Sequence, residues 1–184
     1  VMMAFKAGLF NIGGQGQMIM GGLAAAVVGI YVKNVLFGNF VVAIIAAGIA
    51  GFLWASIAGI LKAKFGVHEV ISTIMLNYIA INLQNYLLNY PIKDPASQNV
   101  QTMKVWEPAR LFLLAPGTKQ KLNFGFILAI IAVIIVWYFF NKTKQGYEMT
   151  AVGLNSTAAE NAGIKIKRNI ILAMGLAGML AGIG

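Results

Sequence analysis

The sequence predicts an all-α fold, a polytopic transmembrane helical bundle, and three observations carry that reading. Only 10% of the residues are charged and 59% are hydrophobic, whereas a soluble domain carries about 25% charge. Apolar runs recur at the roughly 20-residue length that spans a bilayer. Small residues repeat at four-residue spacing within those runs, which lets helix backbones approach closely in lipid. Composition also excludes some chemistry. There is no cysteine, so no disulfide framework and no thiolate metal site. A net charge of +9 in a soluble protein would suggest nucleic acid. Here the bases lie between apolar runs, as anchors at the headgroups of a lipid bilayer, and no nucleic-acid partner is expected. No signal peptide is expected, because a basic start, short apolar core and small-residue cleavage site are missing. The chain opens at Val1 and stops at Gly184 inside an apolar run. It reads as a fragment with about five spans, residues 1–184 forming one partial transmembrane domain.

The first span is expected over Ile12–Val32 and is irregular at its start. There "LFNIGGQGQMIMGG" (Leu9 to Gly22) mixes glycines and amides into an apolar run. Glycine costs about 1 kcal/mol against alanine inside a helix, and an unpartnered buried amide costs a few kcal/mol more. A break over Gly13, Gly14, Gln15 and Gly16, close to the solute, accounts for both. Irregular backbone at membrane depth is tolerated where it is buried in protein or lines a cavity. Transporters use such breaks to aim helix amides at a substrate near the midplane. On this reading Asn11 caps the helix that follows, and Gln15 and Gln17 offer neutral donors and acceptors to an uncharged polar solute. The plain alternative is a surface loop leading into an ordinary span.

After a tight turn at Val32–Leu36 the second span is expected over Val35–Leu61. Ala43, Ala47, Gly51, Ala55 and Gly59 form a stripe along it. Gly21, Ala25 and Gly29 form another on the first span, and Gly178 and Gly182 begin a third. These stripes predict a packed bundle and say nothing of activity. The third span, Val70–Tyr90, is studded with amides. Tyr78, Asn82, Asn85 and Asn89, spaced four, three and four apart, share one helical face. Asn77 and Gln84 form a second polar line. Two readings stand side by side: interhelical hydrogen-bond glue, or the wall of a polar solute path. The fourth span, Phe124–Phe140, is the most lipid-like, with Trp137 and Tyr138 near its end. The fifth begins near Asn169.

Five spans alternate sides, leaving loops at Lys62–Glu69, Pro91–Asn123 and Asn141–Arg168. One side carries Lys62, Lys64, Lys142, Lys144, Lys165, Lys167 and Arg168; the other carries Lys33, Lys93, Lys104, Arg110, Lys119 and Lys121. The first set lies closer to span ends, which places it in the cytoplasm. In that loop Thr157 and Glu160 have capping-box spacing, and Gly163 is a natural helix stop. Residues 141–168 therefore read as short helices outside the membrane, either a solvated connector or a docking element.

Other chemistry is missing from the spans. The acids Glu69, Asp94, Glu107, Glu148 and Glu160 all fall outside them, which argues against an ion-coupled secondary transporter. The lone His68 sits in a loop. No phosphate-binding G-x-x-x-x-G-K-[ST] run is present. Gly14 and Gly16 make a G-x-G with no third glycine and no βαβ context.

Three stretches carry a family resemblance. "GLFNIGGQGQMIMGGLAAA" (Gly8 to Ala26), "GVHEVISTIMLNYIAINLQNYLLN" (Gly66 to Asn89) and "GYEMTAVGLNSTAAENAGIKIKRNIILAMGLAGMLAG" (Gly146 to Gly182) occur in that order. They resemble the permease subunits of ABC importers for nucleosides and simple sugars, in the group that includes ribose and branched-chain amino acid permeases. Two positions depart from the pattern. Gln15 stands where the family often has glutamate, and Thr150 where an arginine is common.

The resemblance implies a non-enzymatic transport subunit working by alternating access in the bacterial cytoplasmic membrane. It implies a second permease subunit, cytoplasmic ATP-binding subunits, and an extracytoplasmic substrate-binding lipoprotein. No cofactor or metal is expected on this chain; ATP belongs to the partner. The expected path residues are Asn11, Gly13, Gly14, Gln15, Gly16, Gln17, Asn77, Tyr78, Asn82 and Asn85. The expected coupling residues are Gly146, Tyr147, Ala151, Val152, Gly153, Asn155, Ala158, Ala159 and Gly163. A nucleoside is the leading solute and a simple sugar the alternative. An ion-coupled carrier, or a bundle without transport, belongs to other classes.

Overall fold

The computed structural model describes residues 2–32, 39–90, 92 and 125–184, and the regular elements among them are all helices. In chain order they are α1 (Met2–Lys6), α2 (Gly14–Tyr31), α3 (Asn39–Phe65), α4 (Glu69–Asn89), α5 (Gly125–Lys142), α6 (Lys144–Leu154), α7 (Ser156–Asn161) and α8 (Ile166–Ile183). Among the described residues α3, α5 and α8 are long and apolar enough to cross a membrane. The helices α2 and α4 match them in length, with 18 and 21 residues, about 27 and 32 Å at the helical rise. Their amides dilute the apolar character that the other three carry.

The small-residue stripes meet as expected. Every member of the α3 stripe, from Ala43 to Gly59, is buried. It lies antiparallel along α8. A methyl added at Gly178 would overlap the Gly51 carbonyl and the Ala55 side chain. One added at Gly21 would overlap the backbone of Gly182. So α2, α3 and α8 pack backbone to backbone, the geometry that drives association in lipid. The helix α4 leans on α2 and α3. No residue of α5 is buried. Its last turns touch the core through Val136, Phe139 and Phe140, around Met149 and Met174.

One end of the bundle gathers the end of α3, the start of α4, the end of α5, the start of α8, and α6 and α7. Lys62 pairs with Glu69 at 2.9 Å across the short link between α3 and α4, where Gly66 takes a positive φ of 68°. The bases of the first charge set lie at this end. Lys6, absent from the side count, joins them through α1, which packs against α6 and α8. The opposing bases Lys33, Lys93, Lys104, Arg110, Lys119 and Lys121 lie outside the described residues, as do most of the expected turn Val32–Leu36 and of the expected loop Pro91–Asn123.

Several boundaries differ from the sequence reading. Helix α1 was not foreseen. Helix α2 starts at Gly14 rather than Ile12, and α8 at Ile166 rather than Asn169. The expected capping box of Thr157 and Glu160 does not form. Asn155 caps α7 instead, its side chain accepting from the Ala158 N–H at 3.0 Å. An asparagine two residues earlier competes well for the same role, and Thr157 falls inside the helix. Gly163 does end α7, at φ 79°. The Ile164 N–H reaches the Ala159 carbonyl and the Gly163 N–H that of Glu160, the paired bonds of a glycine-terminated helix.

Candidate functional site

The expected break over Gly13 to Gly16 does not form: of those four only Gly13 is non-helical, and the irregular backbone lies upstream of an uninterrupted α2. Residues 7–13 are non-helical, whereas Gly14 to Gly16 form the first turn of α2. The depth of this irregular backbone follows from helix register. Gly16 lies beside Asn77 and Gly21 beside Gly182. At the helical rise these contacts set the start of α2 about 9–14 Å in from the starts of α4 and α8. A hydrocarbon core is about 30 Å thick, so irregular backbone reaches well into the bundle.

A network of amides, buried at Asn11 and Gln17 and half-buried at Asn77, makes this possible. Asn11 Oδ1 accepts from the Gly13 N–H at 2.8 Å and from Gln17 Nε2 at 3.2 Å. From α4, Asn77 Nδ2 donates to the Ile12 carbonyl at 3.1 Å, and its Oδ1 accepts from the Gly16 N–H at 2.8 Å. The N-terminal N–H groups of a helix lack intrahelical partners; here one of them is capped by an amide from a neighbouring helix. Asn11 therefore does not cap α2. Gly13 occupies that place without a side-chain bond, and Asn11 serves the turn before it.

The network divides the expected path residues. Asn11 and Gln17 are buried, Gln17 at 2% exposure, and their amides are engaged with each other. Gly13 is packed against Gln17, Asn11 and Thr73, and Gly16 against Asn77 and Ala80, whereas Gly14 faces open space. Gln15 is exposed. Tyr78, at 62% exposure, starts a line continued by the exposed Asn82, Asn85 and Asn89 towards the far end of α4. Asn82 and Asn89 donate to the carbonyls of Tyr78 and Asn85 one turn back on their own helix. Among the described residues their Oδ1 atoms accept no hydrogen bond. Tyr86 and Tyr90, which sequence reasoning left out of the site, flank the line with rings 5.1 Å apart. Their spacing in the sequence carried the signal.

At the basic end, α6 and α7 enclose an open cleft of about 500 Å³. Tyr147, Ala151, Asn155, Ala158, Ala159 and Gly163 line it, six of the expected coupling residues. The other three point elsewhere. Gly146 is packed on the Phe139 and Phe140 backbone, which makes the turn from α5 into α6 possible. Val152 is buried, and Gly153 abuts Lys6 to Gly8. Leu154, 84% exposed, and Lys144 also line the cleft and were missed. Fully buried Asn169 holds α6 to α8: its Nδ2 donates to Glu148 and its Oδ1 accepts from Gln145, both at 3.2 Å.

The bundle thus combines an amide-pinned, irregular entry into α2 with a helical cleft at its basic end. The family described as branched-chain amino acid transport system / permease component matches residues 1–184. The chain belongs to this permease family. A guanosine ABC transporter permease of Bacillus subtilis is 41% identical over 186 residues, all of this chain and 53% of that protein. A nucleoside ABC transporter permease of Lactococcus lactis is 36% identical, over 98% of this chain and 52% of its own. A glucose ABC transporter permease of Haloferax volcanii is 33% identical, over all of this chain and 50% of its own. The permease chain thus spans about half the length of the curated relatives it matches. No solved structure matches it. Family and apolar helices together make this permease a multi-pass protein of the cell membrane.

Proposed function

We propose that the protein is the permease of an ATP-driven ABC importer that moves a nucleoside into the cell by alternating access. The observation that carries the proposal is the exposed tyrosine and asparagine face of α4, from Tyr78 to Tyr90. Polar groups at membrane depth face the bundle interior or water. A ring can stack on tyrosine while neutral amides meet its hydroxyl and N–H groups, and no charge is needed for an uncharged solute. The likeness to guanosine and nucleoside permeases supports the same solute. The cleft between α6 and α7 is the surface offered to a cytoplasmic ATP-binding subunit, where ATP would be held. A second permease subunit and an extracytoplasmic binding lipoprotein complete the proposed assembly. The irregular backbone before Gly14 lies at the inner end of the path.

A second reading, import of a simple sugar, is favoured by the likeness to a glucose permease. The test is reconstitution of the full-length permease with its ATPase and binding protein in proteoliposomes. ATP-dependent uptake of labelled guanosine is expected, with little uptake of labelled glucose. Glucose uptake alone would favour the second reading. Uptake driven by an ion gradient without ATP would overturn both.

A further inference from the structure

We propose that residues 6–13 form a strap that carries displacement of α6 into the start of α2 and the amide face of α4, with Gly8 and Leu9 as its positioning residues. The inference rests on the reading of α6 and α7 as the ATPase-docking surface, and it names the element that would connect that surface with the path.

Both ends of the strap are fixed by close geometry. At the α6 end, Gly8 holds a φ of 71° and lies directly on Gly153. A methyl at Gly8 would stand 3.1 Å from both the Cα and the carbonyl oxygen of Gly153. One at Gly153 would stand 2.7 Å from Gly8 N and 2.8 Å from the Ala7 carbonyl carbon. Backbone meets backbone there, so no side-chain rotation can absorb a shift of α6. At the α4 end, Asn77 grips the Ile12 carbonyl and the Gly16 N–H, and Asn11 holds Gly13 and Gln17.

Between the ends the strap has little slack. Leu9 is buried at 4% exposure in the core that includes Leu76 of α4 and Met149 of α6. Its N–H bonds the Ala4 carbonyl at 2.9 Å, and the Gly8 N–H bonds that of Phe5 at 3.0 Å. Phe5 and Phe10 meet edge to face at 4.9 Å. Packed interiors transmit strain rather than absorbing it. The rival route from α6 runs through Asn169 into α8, which meets α3 at Gly51 and α2 at Gly21, beyond the first turn that Asn77 holds. It reaches the scaffold before it reaches the amide face.

The experiment uses the full-length permease with its ATPase in proteoliposomes, every other cysteine replaced by serine. Ile79→Cys, on the exposed side of α4, reports labelling by a maleimide without nucleotide and after trapping with ATP and vanadate. In the parent the labelling rate changes between the two states. Gly8→Ala, which wedges the contact with Gly153, abolishes that change while ATP hydrolysis continues. Leu9→Ala, which removes volume instead, reads the same relay where Gly8→Ala fails to accumulate. Gly22→Ala, in open space, keeps the full parental change. A full nucleotide response in either strap variant would overturn the relay in favour of the α8 route. A parent reporter blind to nucleotide would overturn the ATP-coupled reading itself, and the strap with it.

Discussion

Adding one methyl group to the first turn of α2 should have opposite consequences at two glycines only two residues apart. At Gly14 the new carbon meets nothing within 4 Å. Alanine there gains helix propensity, up to about 1 kcal/mol. At Gly16 the same carbon lands 2.8 Å from Asn77 Oδ1, 3.1 Å from Asn77 Cα and 3.3 Å from the Ala80 side chain. Asn77 cannot swing away cheaply, because bonds to Ile12 and Gly16 hold its amide. Helix α2 must back off α4. Overpacking of this kind costs about 1–3 kcal/mol, and stretching the bond to the Gly16 N–H costs about 1 kcal/mol more. Net of propensity, Gly16→Ala should destabilise by about 1–3 kcal/mol. The gap between the two variants is then about 2–4 kcal/mol. Thermal unfolding of the purified full-length protein in detergent measures the order: Gly14→Ala above the parent, Gly16→Ala below it. Equal midpoints for the two variants would refute the close approach of α2 to Asn77.

Other expectations follow from the same geometry. Asn82→Leu and Asn85→Leu should lower nucleoside uptake while the protein accumulates normally; unchanged uptake in both would remove α4 from the path. Asn77→Leu strands the buried Gly16 N–H, at about 1–3 kcal/mol, and frees the exposed Ile12 carbonyl, so its melting temperature should fall together with uptake. Ser156→Cys, exposed in α7, should react with an impermeant reagent in inverted vesicles and not in intact cells; the reverse would turn the basic end to the outside. Gly178→Leu drives a side chain into Gly51 and Ala55 and should abolish accumulation, read by immunoblot of membranes.

The packed core was the most legible part of the fold, because small-residue spacing dictates which backbones can touch. The stripes on α3 and α8 predicted close packing, and they pack on each other at Gly51, Gly178 and Gly182. The spans were legible to within a few residues for the same reason that lipid demands uninterrupted apolar length. Caps were less so. Asn155 and Thr157 are both good capping residues, and the sequence does not choose between them. Helix α1 carries five residues with no cap or apolar period of its own; it exists because Met3 and Ala4 are buried in the core. The Gly8–Gly153 contact was beyond reach. Two glycines far apart in the chain carry no mark of facing one another.

The amides show why composition alone could not divide structure from site. Asn11, Gln17 and Asn77 are as polar as Asn82, Asn85 and Asn89, and Asn77 shares α4 with the second trio. The chain brings the first three together. Their donors and acceptors close on one another and on the backbone leading into α2, so this trio is the glue that lets irregular backbone persist at depth. The second trio stays on an exposed face. Where donors are placed, they return to the helix of origin, one turn back. Such self-bonding satisfies an N–H without fixing any neighbour, so it adds nothing to bundle assembly. A helix that needed only glue would direct these groups across to α2 or α3, as Asn77 does. Six amides of one chemical type therefore split into an internal clamp near the basic end and an exposed amide surface beyond it. That surface suits a solute rich in hydroxyl and N–H donors, and the clamp suits the strap that would move it.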